Sequence, residues 1–136
     1  MSTGSEDTVI DTSCWIEAMR ERGDEPTRRR VGALLESGAA RFTDMVRLEL
    51  CNGLGGADQR RFLRQLEELV ETVPTTPAAW SEARTLAELA RRRGVSVPAT
   101  DLLVFAVARV HGLELLHRDA HFDRLAEVAG ERDGRS

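Results

Sequence analysis

Residues 98–111, PATDLLVFAVARVH, carry apolar side chains on nearly every face of a helix: Leu102, Leu103, Val104, Phe105, Ala106, Val107, Ala108 and Val110. A helix at the surface of a globular protein keeps a polar stripe, whereas one that is apolar nearly all round is buried on most sides. A chain that contains such a helix must supply further layers of secondary structure to cover it. The rest of the sequence indicates what those layers are.

Short apolar runs alternate with longer runs of helical period. Residues 7–11 read as a brief buried strand around Val9 and Ile10. Ser13 stands where a cap would start a helix running to about Arg20. Gly23 and Asp24 mark a turn, and Pro26 opens a second helix that Gly38 ends after Ser37. Arg41 and Phe42 make a short strand. Thr43 caps a helix that reaches Asn52 and Gly53, and Asp58 starts another carrying Phe62, Leu63, Leu66 and Leu69. Residues 71–73 form a strand closed by Pro74. Pro77 opens a helix to Arg92 with Gly94 as its C-cap, Gly112 terminates the apolar helix, residues 113–117 form a strand, and residues 119–129 hold a last helix. This alternation predicts an α/β domain over residues 7–129: a short-stranded parallel sheet with helical layers on its faces. Residues 1–6 and 130–136 read as flexible termini.

The composition excludes several classes. The chain has 136 residues, 41% apolar and 31% charged, which suits one folded domain. No apolar run approaches the ~20 residues that cross a bilayer, and MSTGSEDT has no secretory pattern, so the expected location is the cytoplasm, off the membrane. Cys14 and Cys51 are too few for a disulfide framework and read as reduced and buried. No Cys-x-x-Cys spacing suggests zinc, and GLGG lacks the lysine and preceding strand of a phosphate loop. Every basic residue is arginine and the net charge is −4. The triplets Arg28–Arg30 and Arg91–Arg93 could touch phosphates, but their plain reading is a solvated helix face. The plain reading of His111, His117 and His121 is likewise a loop or solvent edge.

Four acids stand out. In parallel α/β sheets, active sites lie outside the carboxyl ends of the strands. Asp11 ends the first strand and Asp119 follows the last, so both belong at that edge. Glu49 and Asp101 lie on helices, Asp101 in the first turn of the buried one, where the helix dipole favours an anion. Each also has an ordinary reading: a turn or cap at Asp11, a solvent-facing side chain at Glu49, a dipole partner at Asp101, a cap at Asp119. Their conjunction at one edge argues for more. Converging carboxylates repel one another, and a divalent cation is the simplest remedy. Mg²⁺ and Mn²⁺ prefer oxygen ligands, and a carboxylate-held cation is suited to cutting phosphodiesters.

VIDTSCW, then RLELCNG, then PATDLLVFAVARVHGLELLHRDAHF resemble, in that order and separation, the PIN-domain nucleases, and within them the VapC-type ribonuclease toxins of bacterial toxin–antitoxin pairs. The resemblance covers residues 7–129. It implies a three-layer α/β/α sandwich of PIN type, with Asp11, Glu49, Asp101 and Asp119 as the four metal-binding and catalytic acids and Ser13 as a supporting hydroxyl. It also implies Mg²⁺ or Mn²⁺ as cofactor, RNA as substrate, a VapB-like antitoxin and a homodimer. Trp15 and Trp80 are candidate anchors for a partner, and Trp15 could instead stack on a base or lie in the core. The chain departs from the family pattern after the last strand. His117 stands where relatives often have threonine or serine, and His121 where they often have aspartate. His121 could ligate a metal or contact phosphate, and Asp123, one turn past Asp119, could reach the site. Two other functions fit the same sheet edge. An aspartyl phosphatase would use Asp11 as nucleophile, but it usually has an aspartate where Ser13 stands and a lysine, which this chain lacks. An inactive binding module would be expected to lack one of the acids.

Overall fold

The computed structural model describes residues 6–134, so the expected flexible segments at residues 1–5 and 135–136 lie outside the described residues. Four strands, β1 (Thr8–Ile10), β2 (Ala40–Thr43), β3 (Glu71–Val73) and β4 (Glu114–Leu116), form one parallel sheet in the order β3-β2-β1-β4. Seven helices are seen among the described residues: α1 (Thr12–Met19), α2 (Glu25–Ser37), α3 (Asp44–Gly53), α4 (Ala57–Leu69), α5 (Pro77–Arg92), α6 (Ala99–Val110) and α7 (Ala120–Arg132). All three residues of β1 are buried, as a strand requires when both sheet faces are covered by helices. The α/β/α reading of the sequence therefore holds. No helix among the described residues is long and apolar enough to cross a membrane.

Local chemistry explains the element boundaries. The Asp24 carboxylate accepts the Thr27 N–H at 3.1 Å to start α2, Thr43 Oγ1 accepts the Val46 N–H at 3.1 Å to start α3, and Thr76 caps α5 ahead of Pro77. Gly38 ends α2 in the left-handed region at φ 76°, a conformation glycine adopts without strain. The expectation that Ser13 caps α1 is corrected. Asp11 is the cap, and its Oδ2 accepts both the Ser13 N–H at 3.1 Å and the Ser13 hydroxyl at 2.7 Å. The last helix also runs past residue 129, to Arg132. Its end is tied down: Arg132 pairs with Glu82 at 2.8 Å, and Arg109 bonds both Glu82 and Asp133.

The helix that opened the argument lies where its composition requires. α6 packs against α5, α7, α3 and β4, and Leu102, Leu103, Val104, Ala106, Val107 and Ala108 are buried. On the other side of the molecule α1 packs against α2 and α3. Trp15 is fully buried there, 5.0 Å from the Phe42 ring. It is a core residue, so neither base stacking nor partner docking is open to it. Cys14 is buried, and burial pushes its thiol up to about 11. Cys51 is exposed, contrary to the expectation, because α3 turns Val46 and Leu50 inward instead.

Candidate active site

The strand order creates a crevice at one place. From β1 the chain builds outward through β2 and β3, then crosses back to lay β4 on the other side of β1. The connections leave β1 and β4 in opposite directions, and the gap outside their carboxyl ends is the switch point at which such sheets take ligands. Asp11 stands directly on it. Its N–H donates to the Leu116 carbonyl at 2.9 Å, which joins the end of β1 to the end of β4. The residue is 7% exposed, and the two bonds from Ser13 hold Oδ2 in place.

The other acids arrive from three further elements. Glu49 projects from α3 and its Oε1 accepts the Thr12 hydroxyl at 2.6 Å. Asp101 lies in the first turn of α6. Asp119 caps α7, with its Oδ1 accepting the His121 N–H at 2.9 Å. Asp119 therefore fills the ordinary capping role and also stands in the crevice. Two of the four carboxylates are perturbed by their neighbours. Burial, together with the charges of Asp11 and Asp101, raises the Glu49 pKa against the lowering bond from Thr12. Burial also raises the Asp101 pKa, with Asp11 and Asp119 adding to the shift and His121 opposing it. An arrangement in which burial and neighbouring like charges raise the proton affinity of Glu49 and Asp101 is costly unless a cation is present, and such perturbation is typical of functional sites.

Of the histidines, His121 belongs to this cluster. Its Nδ1 lies 3.0 Å from Asp101 Oδ2 and 3.0 Å from Asp119 Oδ1. One ligand atom from each of Asp101, Asp119 and His121 falls within 4.8 Å of the others, a spacing that can hold a metal ion. His117 does different work. Its Nδ1 accepts the Asp119 N–H at 3.3 Å, its ring packs 4.9 Å from Phe122, and its Nε2 faces Asp123 at 3.7 Å. Asp123, with its side chain 76% exposed, is directed to His117. His111 bonds the Pro74 carbonyl at 2.8 Å. In the arginine triplets, Arg28 bonds the Glu21 carbonyl at 3.2 Å, Arg29 faces Glu25 at 4.0 Å, and Arg93 pairs with Glu131. Thr12 escaped the reading of the sequence. The only signal was a second hydroxyl directly after Asp11, and its partner is 37 residues away.

Away from the crevice, Trp80 is 50% exposed beside an apolar groove between α5 and α6 that Met45, Ala83, Ala87 and Leu103 also line.

Comparison with known proteins agrees with this geometry. The PIN domain family model matches residues 8–128. Ribonuclease VapC11 of Mycobacterium tuberculosis is 33% identical over 127 residues, which cover 88% of this chain and 92% of that protein. Among solved structures, VapBC-1 from nontypeable Haemophilus influenzae has a TM-score of 0.71 at 20% identity, covering 88% of this chain and 92% of that one. Mycobacterium tuberculosis VapC20, described as a sarcin-ricin loop cleaving toxin, has a TM-score of 0.62 at 20% identity, covering 86% and 93%.

Proposed function

Because the chain belongs to the PIN-domain family and to the VapC group within it, we propose that it is a metal-dependent endoribonuclease, the toxin of a toxin–antitoxin pair. The observation that carries this reading is the convergence of Asp11, Glu49, Asp101 and Asp119 on one crevice at the carboxyl edge of the sheet. The donor set fits a hard divalent cation, since it offers carboxylate oxygens at close range and no thiolate. Asp11, Glu49, Asp101 and Asp119 would hold Mg²⁺ or Mn²⁺. When bound, such an ion supplies positive charge for the phosphoryl group and lowers the pKa of an attacking water.

The protein's own residues do the positioning. Ser13 fixes Asp11 Oδ2, Thr12 fixes Glu49 Oε1, and the His121 N–H fixes Asp119 Oδ1, so three of the four carboxylates are oriented before a ligand arrives. Burial raises the proton affinity of Glu49, so protons and the cation would compete for it. No side-chain nucleophile is required. An RNA loop is the appropriate substrate, because an unpaired strand can present one phosphate to a crevice of this kind.

The names of the related proteins support a VapB-like antitoxin as partner. The family resemblance implies a homodimer, for which the half-exposed Trp80 groove is a candidate face, and the cytoplasm is the compartment in which such a toxin meets RNA.

The test is incubation of purified protein with end-labelled RNA and Mg²⁺ or Mn²⁺. Cleavage that needs the metal and disappears in both Asp11→Asn and Asp101→Asn is expected. Cleavage that survives both substitutions would refute the assignment.

A further inference from the structure

We propose that His121 is itself a metal ligand, through Nδ1, and that it tilts this site toward Mn²⁺ and away from Mg²⁺. The inference rests on the metal-dependent reading above and adds to it the identity of a ligand and the preference that follows.

The geometry is specific. Nδ1 of His121 lies at the same distance, 3.0 Å, from one oxygen of Asp101 and one oxygen of Asp119. The same Asp119 oxygen accepts the His121 backbone N–H at 2.9 Å, so the Asp119 side chain is tied to the backbone of residue 121 at the start of α7. A single imidazole N–H cannot make two straight hydrogen bonds to two carboxylates at once. Nδ1 hydrogen-bonds Asp101 Oδ2, and Asp119 Oδ1 lies equally near, so the nitrogen sits in the corner where the two oxygens converge. With the ring in its Nε2–H tautomer the Nδ1 lone pair faces the same corner, so a cation drawing those two oxygens together can take the place of the N–H proton there. The ring is 32% exposed and the Asp101 side chain 17%, so the corner is open to solvent on one side and an ion can enter.

The consequence is chemical. Mg²⁺ holds to an octahedron of oxygens and gives up its waters reluctantly. Imidazole is a poor replacement in that shell; Mn²⁺, at the start of the transition-metal affinity series, accepts it more readily than Mg²⁺, and the later divalent metals more readily still. A set of three or four carboxylates with one imidazole nitrogen should then favour Mn²⁺ where an all-carboxylate site would not.

Binding is measured without RNA. Calorimetric titrations of Mn²⁺ and of Mg²⁺ into the wild type, His121→Asp and His121→Asn give the ratio of the two affinities. Pulsed EPR on the Mn²⁺-loaded protein reports whether an imidazole nitrogen is coupled to the ion. The expected result is imidazole ¹⁴N modulation in the wild type that vanishes in both variants, with the Mn²⁺ preference falling on the order of tenfold in His121→Asp. Mn²⁺ that binds without imidazole coupling overturns the proposal and leaves the nuclease reading intact. Coupling that persists in His121→Asp would assign the nitrogen to another histidine and also overturn it. Failure of the wild type to bind either ion at millimolar concentration would overturn the metal-dependent reading itself.

Discussion

Replacing Glu49 by glutamine should stabilise the metal-free protein and weaken its response to metal. Burial, Asp11 and Asp101 all press Glu49 toward its neutral form, and only the Thr12 bond opposes them. Glutamine has nearly the same shape and keeps an oxygen that can accept the Thr12 hydroxyl, so the change removes charge and preserves the contact. At an effective dielectric constant near 20, two like charges about 7 Å apart repel by ~2 kcal/mol, and partial exposure to water roughly halves this. The expected gain is about 1 kcal/mol, or ~3–4 °C in melting temperature for a domain of this size. The gain has a definite pH dependence. The folded protein binds the Glu49 proton more tightly than the unfolded chain does. The repulsive penalty therefore grows as pH rises from the ordinary glutamate range through the raised folded value, and is complete above it. The advantage of Glu49→Gln should be full at neutral pH and vanish below about pH 4. Adding Mn²⁺ should reverse the order. A ligand at 100 times its Kd stabilises the wild type by ~2.7 kcal/mol, and a variant with one carboxylate fewer gains less. Differential scanning calorimetry at neutral and acid pH, with and without Mn²⁺, reads all four quantities. If metal-free Glu49→Gln melts no higher than the wild type at neutral pH, the carboxylates do not burden the fold and this reasoning fails.

Four further outcomes are expected. Gly23→Ala should cost at least ~2 kcal/mol in urea denaturation, because a Cβ there would meet the Glu17 carbonyl oxygen at 1.9 Å with only backbone to give way. Glu17 accepts the Asp24 N–H at 2.7 Å and pairs with Arg20 and Arg118, and these contacts, the backbone bond first, lower its pKa. Its stabilisation is present above the ordinary carboxylate range and lost as pH falls through the lowered folded value, so Glu17→Gln should flatten the acid limb of a stability–pH curve. Trp15→Ala should cost about 3–5 kcal/mol, whereas Trp80→Ala should change monomer stability by under about 1 kcal/mol and lower the solution mass if the groove is the dimer face; chemical denaturation and light scattering check the pair. Thr12→Val removes the one bond that lowers the Glu49 pKa, so the acid limb of the cleavage–pH profile should move to higher pH.

Most of the architecture was legible because punctuation is local. Pro77, Gly38, Gly112 and Thr43 mark element ends through their own backbone and side-chain chemistry, and β3 and α5 fall where those residues put them. The parallel sheet followed from the alternation of elements, and the crevice from the rule for such sheets. What the sequence hid depends on partners far apart in the chain. The bond from Thr12 to Glu49 spans 37 residues and that from His121 to Asp101 spans 20. Periodicity carries no information about either. Trp15 was ambiguous for the same reason. Its place under Phe42 is set by how α1 lies on the sheet, and an aromatic one turn from an acid reads equally as core or as binding surface. The end of α7 was missed because Gly130 looks like a terminator, while the ion pairs of Arg109 and Arg132 with residues 82 and 133 extend the helix past it.

The same feature that dictates the fold also sets the site. α6 is held on nearly every side by apolar packing, so its first turn cannot shift without disturbing Leu102, Leu103 and Ala106. Asp101 is thereby fixed in a place where burial, Asp11 and Asp119 raise the electrostatic cost of its charge. A carboxylate on a mobile loop would swing out to water and relieve that strain. On this helix it cannot, and the positive end of the α6 dipole offsets only a fraction, about 0.3–1 kcal/mol. The remaining repulsion is a standing demand for positive charge at one point. In the metal-free protein the hydrogen bond between the His121 ring and Asp101 meets part of it. On the proposed reading, rigid burial of an otherwise unremarked helix is what would make four separate acids a preorganised cation site.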